Sequence, residues 1–337
     1  MKAKKATVQS GGVRRGWGIT GKLVSAIVAS VVIAVAILFA VVYFQMSNAL
    51  LDKSENLLQT TTGRTLQETK AWMNSTLTML ETQRDTIEYE DMDVPDMMNY
   101  IRHTVDQNDA YPAGLYVALT DGSLYHASFV PGPDFDATTK SWYRDGLQSD
   151  TFILGDVYFD EDSQSYVVGA SGVLKSRNGT VRGVAAADVY LDSISKIVSQ
   201  VTIEDTGGIF LVDSRTDTII GHRDSAMTGE KLGELQGGIY AYAGEQILAG
   251  KTGLSIYDKT YVQVERVPGS DWVAVAYVSQ GEVLQELSIL AVVIAVLALA
   301  ALLLMALLVV IQVRRVIGRP VRELSRAATR IAEGELE

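Results

Sequence analysis

The chain has 337 residues, a net charge of −11 and no cysteine, with 47% hydrophobic residues. The missing cysteines exclude disulfides, thiolate metal sites and a cysteine nucleophile. The acidic balance argues against a nucleic-acid partner.

Hydrophobicity is not spread evenly. Residues 23–44 and 289–311 carry no charge and are nearly all aliphatic. A membrane core of ~30 Å needs about 20 such residues in a helix, so both runs are expected to span a bilayer. A cleaved leader is the competing reading of the first run. That run is too long for one and ends in "VVYFQM", without a small-x-small cleavage site. Six basic residues and no acid precede residue 45, and six Arg against four Glu follow residue 288, leaving −19 on residues 45–288. The positive-inside rule then puts 1–22 and 314–337 in the cytoplasm, spans at 23–44 and 289–313, and 45–288 outside.

Between the spans, Leu66, Met73, Leu77, Leu80 and Ile87 form a heptad-like stripe, which predicts a long helix within 45–110. "DVPDMMNYIRHTVDQN" predicts a second helix with Pro95 in its first turn. The pattern then turns to strands. "GLYVALTDGSLYHAS" is a hairpin about Asp121-Gly122, and a longer one follows about Asn178-Gly179. "LDSISKIVSQV" is helical. "GGIFLVDSRTDTIIGH" loosely repeats the first hairpin, and after the helical "GGIYAYAGEQILAG" come two more strands joined by Pro268-Gly269. The expected architecture is α+β: a long N-terminal helix and two antiparallel-sheet lobes, at 111–200 and 201–280, as a duplicated module. After the second span, Ile317, Val321, Leu324, Ala328 and Ile331 step by four and three, a seam suited to pairing with a second copy in a homodimer.

"KSWYRDG" at 140–146 sets Trp142 and Tyr143 side by side between cations. Such a pair either plugs a core or walls a pocket. Lys140 and the Trp142 indole supply donors, Asp160 and Asp188 anionic acceptors, and Tyr143 and Tyr158 either role. Together they suit an amino acid, whose ends need opposite charges. Each also has a plainer reading: Trp142 and Tyr143 as core, Lys140 as a solvated cation, Asp160 as a turn residue, Asp188 as a helix cap. His103, His126 and His222 lack metal-ligand spacing and are expected to be structural or solvent-facing. With no metal, no cofactor and no Ser-His-Asp arrangement expected, an anchored hydrolase is disfavoured.

Two spans, a long helix and two α+β lobes resemble the double Cache (dCache) sensors of bacterial transmembrane receptors, whose lobes are PAS-like. "RPVRELSRAATRIAEGELE" resembles the first helix of a HAMP linker, with Pro320 near its start and Gly334-Glu335-Leu336 at its end. The overall style is that of methyl-accepting chemotaxis proteins. "FDATTKSWYRDG" resembles the motif of dCache domains that bind α-amino acids. That resemblance implies a ligand site in the membrane-distal lobe from Phe135, Lys140, Trp142, Tyr143, Tyr158, Asp160 and Asp188, with Asp188 on the ammonium. Lys140 stands where the family has Arg, which keeps a carboxylate-free amine or a purine open as ligand. The implied function is a chemoreceptor. The same sensor on a histidine kinase or diguanylate cyclase is the alternative, and the output module is expected to lie outside this chain.

Overall fold

The computed structural model describes residues 19–132, 135–161 and 163–313, with 315–316, 320, 323–324 and 326. The basic residues before residue 19 and the post-span seam, Leu324 apart, fall outside these. The chain divides into two compact units, residues 50–284 and the terminal segments 1–49 with 285–337. The first part of helix α1 (Ile19–Tyr89) and most of helix α6 (Gln280–Val313) supply most of the described terminal unit. Both are long and apolar enough to cross a membrane by length and composition. Their aliphatic side chains, such as Ile37, Leu38, Val292 and Leu303, are exposed.

In residues 50–284, the heptad stripe on α1 is its buried face. Leu58, Leu66, Met73, Leu80 and Ile87 are buried, while Leu77 is partly buried against the same core. Buried threonines share that face, and Thr62 satisfies its hydroxyl on the Leu58 carbonyl at 2.7 Å. Helix α2 (Val94–Thr104) begins where Asp93 accepts the Asp96 N–H at 3.0 Å, with Pro95 in the first turn.

The first sheet comprises β1 (Tyr116–Leu119), β2 (Leu124–Tyr125), β3 (Ile153–Asp160), β4 (Ser165–Lys175) and β5 (Val181–Tyr190), in the order β2-β1-β5-β4-β3. Helix α3 (Ser141–Leu147) packs on it, and α4 (Leu191–Ser199) follows it. The second sheet comprises β6 (Gly208–Asp213), β7 (Thr218–Gly221), β8 (Gly253–Tyr257), β9 (Thr260–Arg266) and β10 (Trp272–Ser279), with helix α5 (Gly238–Leu248) inserted after β7. Its order is β7-β6-β10-β9-β8, strand for strand the order of the first. Every pairing in both is antiparallel. The duplication expected from the loose repeat is therefore topological. Strand β8 was not anticipated: "GLSIY" is short, polar-flanked and only half buried, so it lacks a strong strand signal.

Candidate functional site

In the first lobe, the sheet face under α3 opens into a cleft of about 840 Å³. Strand alternation decides which side chains reach it. Tyr116 on β1 pairs with Ala186 on β5, so Asp188, two residues along, shares its face. Tyr158 on β3 reaches the same place across β4. Both tyrosine hydroxyls donate to Asp188 Oδ1, from Tyr158 at 2.6 Å and from Tyr116 at 2.9 Å. Among the described residues, Asp188 Oδ2 accepts no hydrogen bond. Burial pushes the Asp188 carboxyl above its ordinary range, against the lowering effect of the two hydroxyls. Burial, reinforced by the neighbouring carboxylate, likewise raises both tyrosines.

Helix α3 brings its aromatic pair down onto the sheet. Opposite Asp188 on β4 stands Gly169, where an added Cβ would lie 3.3 Å from Trp142 Cβ. The missing side chain lets Trp142 settle beside the carboxylate. Trp142 is 8% exposed and meets Tyr116 edge-on, with ring centroids 5.2 Å apart at 81°. The rings continue as an arc: Tyr116 to His126 at 5.2 Å, His126 to Phe129 at 6.0 Å, Phe129 to Phe135 at 5.7 Å. Lys140, at the start of α3, holds its ammonium 5.0 Å from the Phe135 ring centroid.

Six of the seven residues singled out from the sequence line this cleft: Phe135, Lys140, Trp142, Tyr158, Asp160 and Asp188. Tyr143 does not. It is 3% exposed, packed with Ala118, Ala137 and Val184. Successive residues on a helix point about 100° apart, so once Trp142 faces the cleft its neighbour faces the core. The plainer reading of Asp188 as a helix cap also falls away, because α4 is capped from Tyr190 without a side-chain bond. Asp160 combines two roles: it lines the cleft and closes a turn, its Oδ2 accepting the Ser163 N–H at 3.0 Å and hydroxyl at 2.5 Å.

Sequence reasoning missed Tyr116, His126, Phe129 and Asp156, all of which line the cleft. Tyr116 was findable in principle, since it lies in the first hairpin on the face that β1–β5 register assigns to Asp188. His126, expected to be structural or solvent-facing, lies in the arc. Its Nδ1 accepts backbone N–H groups of Ser128 and Phe129 at 3.1 and 3.0 Å. That places the ring proton of the neutral form on Nε2. The ensemble can hold a cation against Asp188 between aromatic faces, and it offers the Trp142 indole N–H and the Lys140 ammonium to an anion. Among the described residues no three His, Cys, Asp or Glu side chains converge on a metal position.

Comparison with known proteins agrees with the topology. The chain is 23% identical over 326 residues to the methyl-accepting chemotaxis protein PscA of Pseudomonas syringae pv. tomato, covering 94% of this chain and 50% of PscA. The chain thus spans about half the length of that curated relative. Among solved structures, the ligand-binding domain of the Pseudomonas aeruginosa amino acid chemoreceptor PctC in complex with GABA superposes with a TM-score of 0.56 at 20% identity, covering 67% of this chain and 99% of that one. The ligand-binding domain of the Pseudomonas fluorescens chemoreceptor CtaA in complex with L-isoleucine gives 0.55 at 18% identity, covering 72% and 99%. At these identities the likeness establishes the fold. The dCache_1 family of Cache domains matches residues 44–287, well over half of the chain, and the chain belongs to that family.

Proposed function

We propose that this chain is the sensing part of a transmembrane chemoreceptor that binds a small amino acid or related amine in the first-lobe cleft. One observation carries the reading: a buried carboxylate, Asp188, lines the aromatic cleft and is held on one oxygen by two tyrosine hydroxyls. A carboxylate pushed upward by burial is relieved by a cation more than by water. In this reading Asp188 holds the ammonium and Tyr158, Asp160 and Phe135 line its surroundings. The Trp142 N–H and Lys140 take the carboxylate. The named ligands of PctC and CtaA, GABA and L-isoleucine, support this class, as does the chemotaxis role in the name of PscA.

A carboxylate-free amine is the second reading, favoured by the engagement of the Lys140 ammonium with the Phe135 ring. Around the cleft we assign residues 23–44 and 289–313 as spans, 45–288 as extracytoplasmic and 314–337 as the start of a HAMP linker. A homodimer would form along the 317–331 seam, coupling to a chemotaxis output or, alternatively, to a kinase or cyclase. Ligand shifts signalling only by its differential affinity for two states of the receptor.

The test is calorimetric titration of the full chain in lipid nanodiscs with proteinogenic amino acids, GABA and simple amines. Binding of at least one amine-bearing compound, lost in Asp188→Ala and Trp142→Ala, is the expected result. Affinity unchanged in both variants, with both folded, refutes the site. Lys140→Arg separates the two readings: it holds or improves binding of an α-carboxylate ligand and weakens binding of a carboxylate-free amine.

A further inference from the structure

One wall of the cleft is electrically completed by the other lobe. Strand β3 changes register between Leu154 and Val157. Asp156 sits in this irregularity, where a side chain is released from the regular ladder and re-aimed. It lines the cleft. Its ionic partner is Arg215, from the β6–β7 turn of the second lobe, with Nη2 3.2 Å from Asp156 Oδ1. The Nε edge of the same guanidinium lies 3.3 Å from Asp271 Oδ2, in the β9–β10 turn.

Arg215 is held in place by its own lobe. Its backbone N–H donates to Oδ1 of the fully buried Asp213 at 2.9 Å. The neighbouring Ser214 ties the two turns together, its N–H and hydroxyl both donating to the Asp271 carbonyl at 3.0 and 2.6 Å. The lobes also meet at Tyr166, whose ring occupies the place where a side chain on Gly229 would be. The guanidinium is therefore presented to Asp156 by a braced turn. Asp156 and Arg215 are 48% and 40% exposed, and pairs so exposed contribute little to stability. The consequence of the pair lies in the charge it sets on the cleft wall.

We infer that Arg215 is a positioning residue of the first-lobe cleft: by neutralising Asp156 it lets the second lobe set which ligand charge the cleft prefers. The inference rests on the cleft being the ligand site proposed above. With the pair intact, the cleft balances Lys140 against Asp160 and Asp188. With Arg215 removed, a third carboxylate is uncovered, and a ligand bearing a second cation gains a partner. By reciprocity, a ligand that reaches Asp156 loosens the contact between lobes.

GABA and putrescine are probes of similar length, one zwitterionic and one dicationic. Both are titrated calorimetrically into the full chain in nanodiscs, as wild type, Arg215→Gln, Arg215→Lys, Asp156→Asn and the Asp156→Asn/Arg215→Gln double variant. Arg215→Gln should raise putrescine affinity relative to GABA by roughly two- to fivefold, the scale of an exposed charge pair. Arg215→Lys should restore the wild-type ratio. Asp156→Asn removes a carboxylate from the cleft wall and leaves the guanidinium paired with Asp271 alone, so it should move the ratio the other way, and the test stands even if Arg215→Gln does not fold. In the Asp156→Asn background, Arg215→Gln should no longer favour putrescine. A ratio unchanged by both single variants, or an equal putrescine gain without Asp156, overturns the inference while leaving the cleft as the ligand site. A wild type that binds neither probe nor any proteinogenic amino acid overturns both.

Discussion

Replacing Asp188 with Asn separates stability from binding. Asn has nearly the same shape, and its Oδ1 accepts the hydroxyls of Tyr116 and Tyr158 as the carboxylate does at 2.9 and 2.6 Å. What is removed is the charge. Burial raises the Asp188 carboxyl above its ordinary 3.8. A carboxyl raised in the folded state binds its proton more readily there than in the unfolded chain. It therefore favours folding below the unfolded value, and its ionisation becomes a cost as pH rises through the folded value. At neutral pH the ligand-free wild type bears that cost and Asp188→Asn does not. The variant should therefore melt higher than the wild type at neutral pH. The gain should shrink as pH falls through the raised folded value and vanish below about pH 4, where the wild-type carboxyl is itself protonated in both states. Binding moves oppositely. Losing one partner of a buried charge pair costs about 3–5 kcal/mol, more than a hundredfold in the affinity of an amine-bearing ligand. Scanning fluorimetry across pH and calorimetry on the full chain read the two effects. A variant that melts lower at neutral pH, or that still binds the amine ligand of the wild type with full affinity, refutes the reasoning.

Arg84 is a buried tie between α1 and the first lobe, 7% exposed, donating from Nη1 to the Asp150 carbonyl at 2.8 Å and from Nη2 to Asp85 at 2.8 Å. Arg84→Met should cost about 2–4 kcal/mol, read as a lower denaturation midpoint; an unchanged midpoint would show the tie to be dispensable. At Gly183 on β5, an added Cβ would run into the Ala118 backbone oxygen of β1. Gly183→Ala should destabilise the lobe by about 3 kcal/mol or more, and because β1 and β5 carry Tyr116 and Asp188 it should weaken ligand binding in the folded fraction as well. In the second lobe, burial lowers His222 below its ordinary 6.5. Its Nδ1 accepts the Asp224 N–H at 2.9 Å, and its Nε2 lies 3.0 Å from the Tyr240 hydroxyl. A group lowered in the folded state gives stability that is complete above the unfolded value and lost as pH falls toward the folded one. The denaturation midpoint should drop as pH falls below about 6.5, and His222→Gln should flatten that dependence; an equally steep profile in the variant would assign the effect to other groups.

The fold was legible wherever one period dominated. The stripe on α1 follows a heptad-like spacing because one face is buried from Leu58 onward, and Leu66, Leu80 and Ile87 join the core there. Asn178-Gly179 and Asp121-Gly122 marked hairpins because each glycine sits at positive φ, +87° and +88°, where other residues are strained. Duplication was only half legible. The two lobes share a strand order while their sequences share little beyond a Gly-strand-Asp-turn theme, since a sheet constrains alternation and burial and leaves side-chain identity open. The edge strand β8 escaped because it is short and partly exposed on both faces, so its brief Leu-Ser-Ile alternation carries little signal.

The site was legible as a set of residue types and illegible as a geometry. Six of seven candidates converge because β3, α3 and β5 each present one side chain to a shared face, and spacing along the chain reports that indirectly. Tyr143, matched through the motif, faces the core because a helix turns adjacent residues about 100° apart. Tyr116 and Arg215 were missed for a different reason. Each is distant in sequence from what it touches, Tyr116 by 72 residues from Asp188, and Arg215 belongs to the other lobe altogether. Their roles depend on register and on how the lobes meet, neither of which leaves a local pattern. A cleft read from a motif therefore contains the groups proposed to meet a ligand and omits the one proposed to set their charge. In this chain the omitted group sits on the braced turn of the second lobe, beyond the reach of any motif drawn from the first.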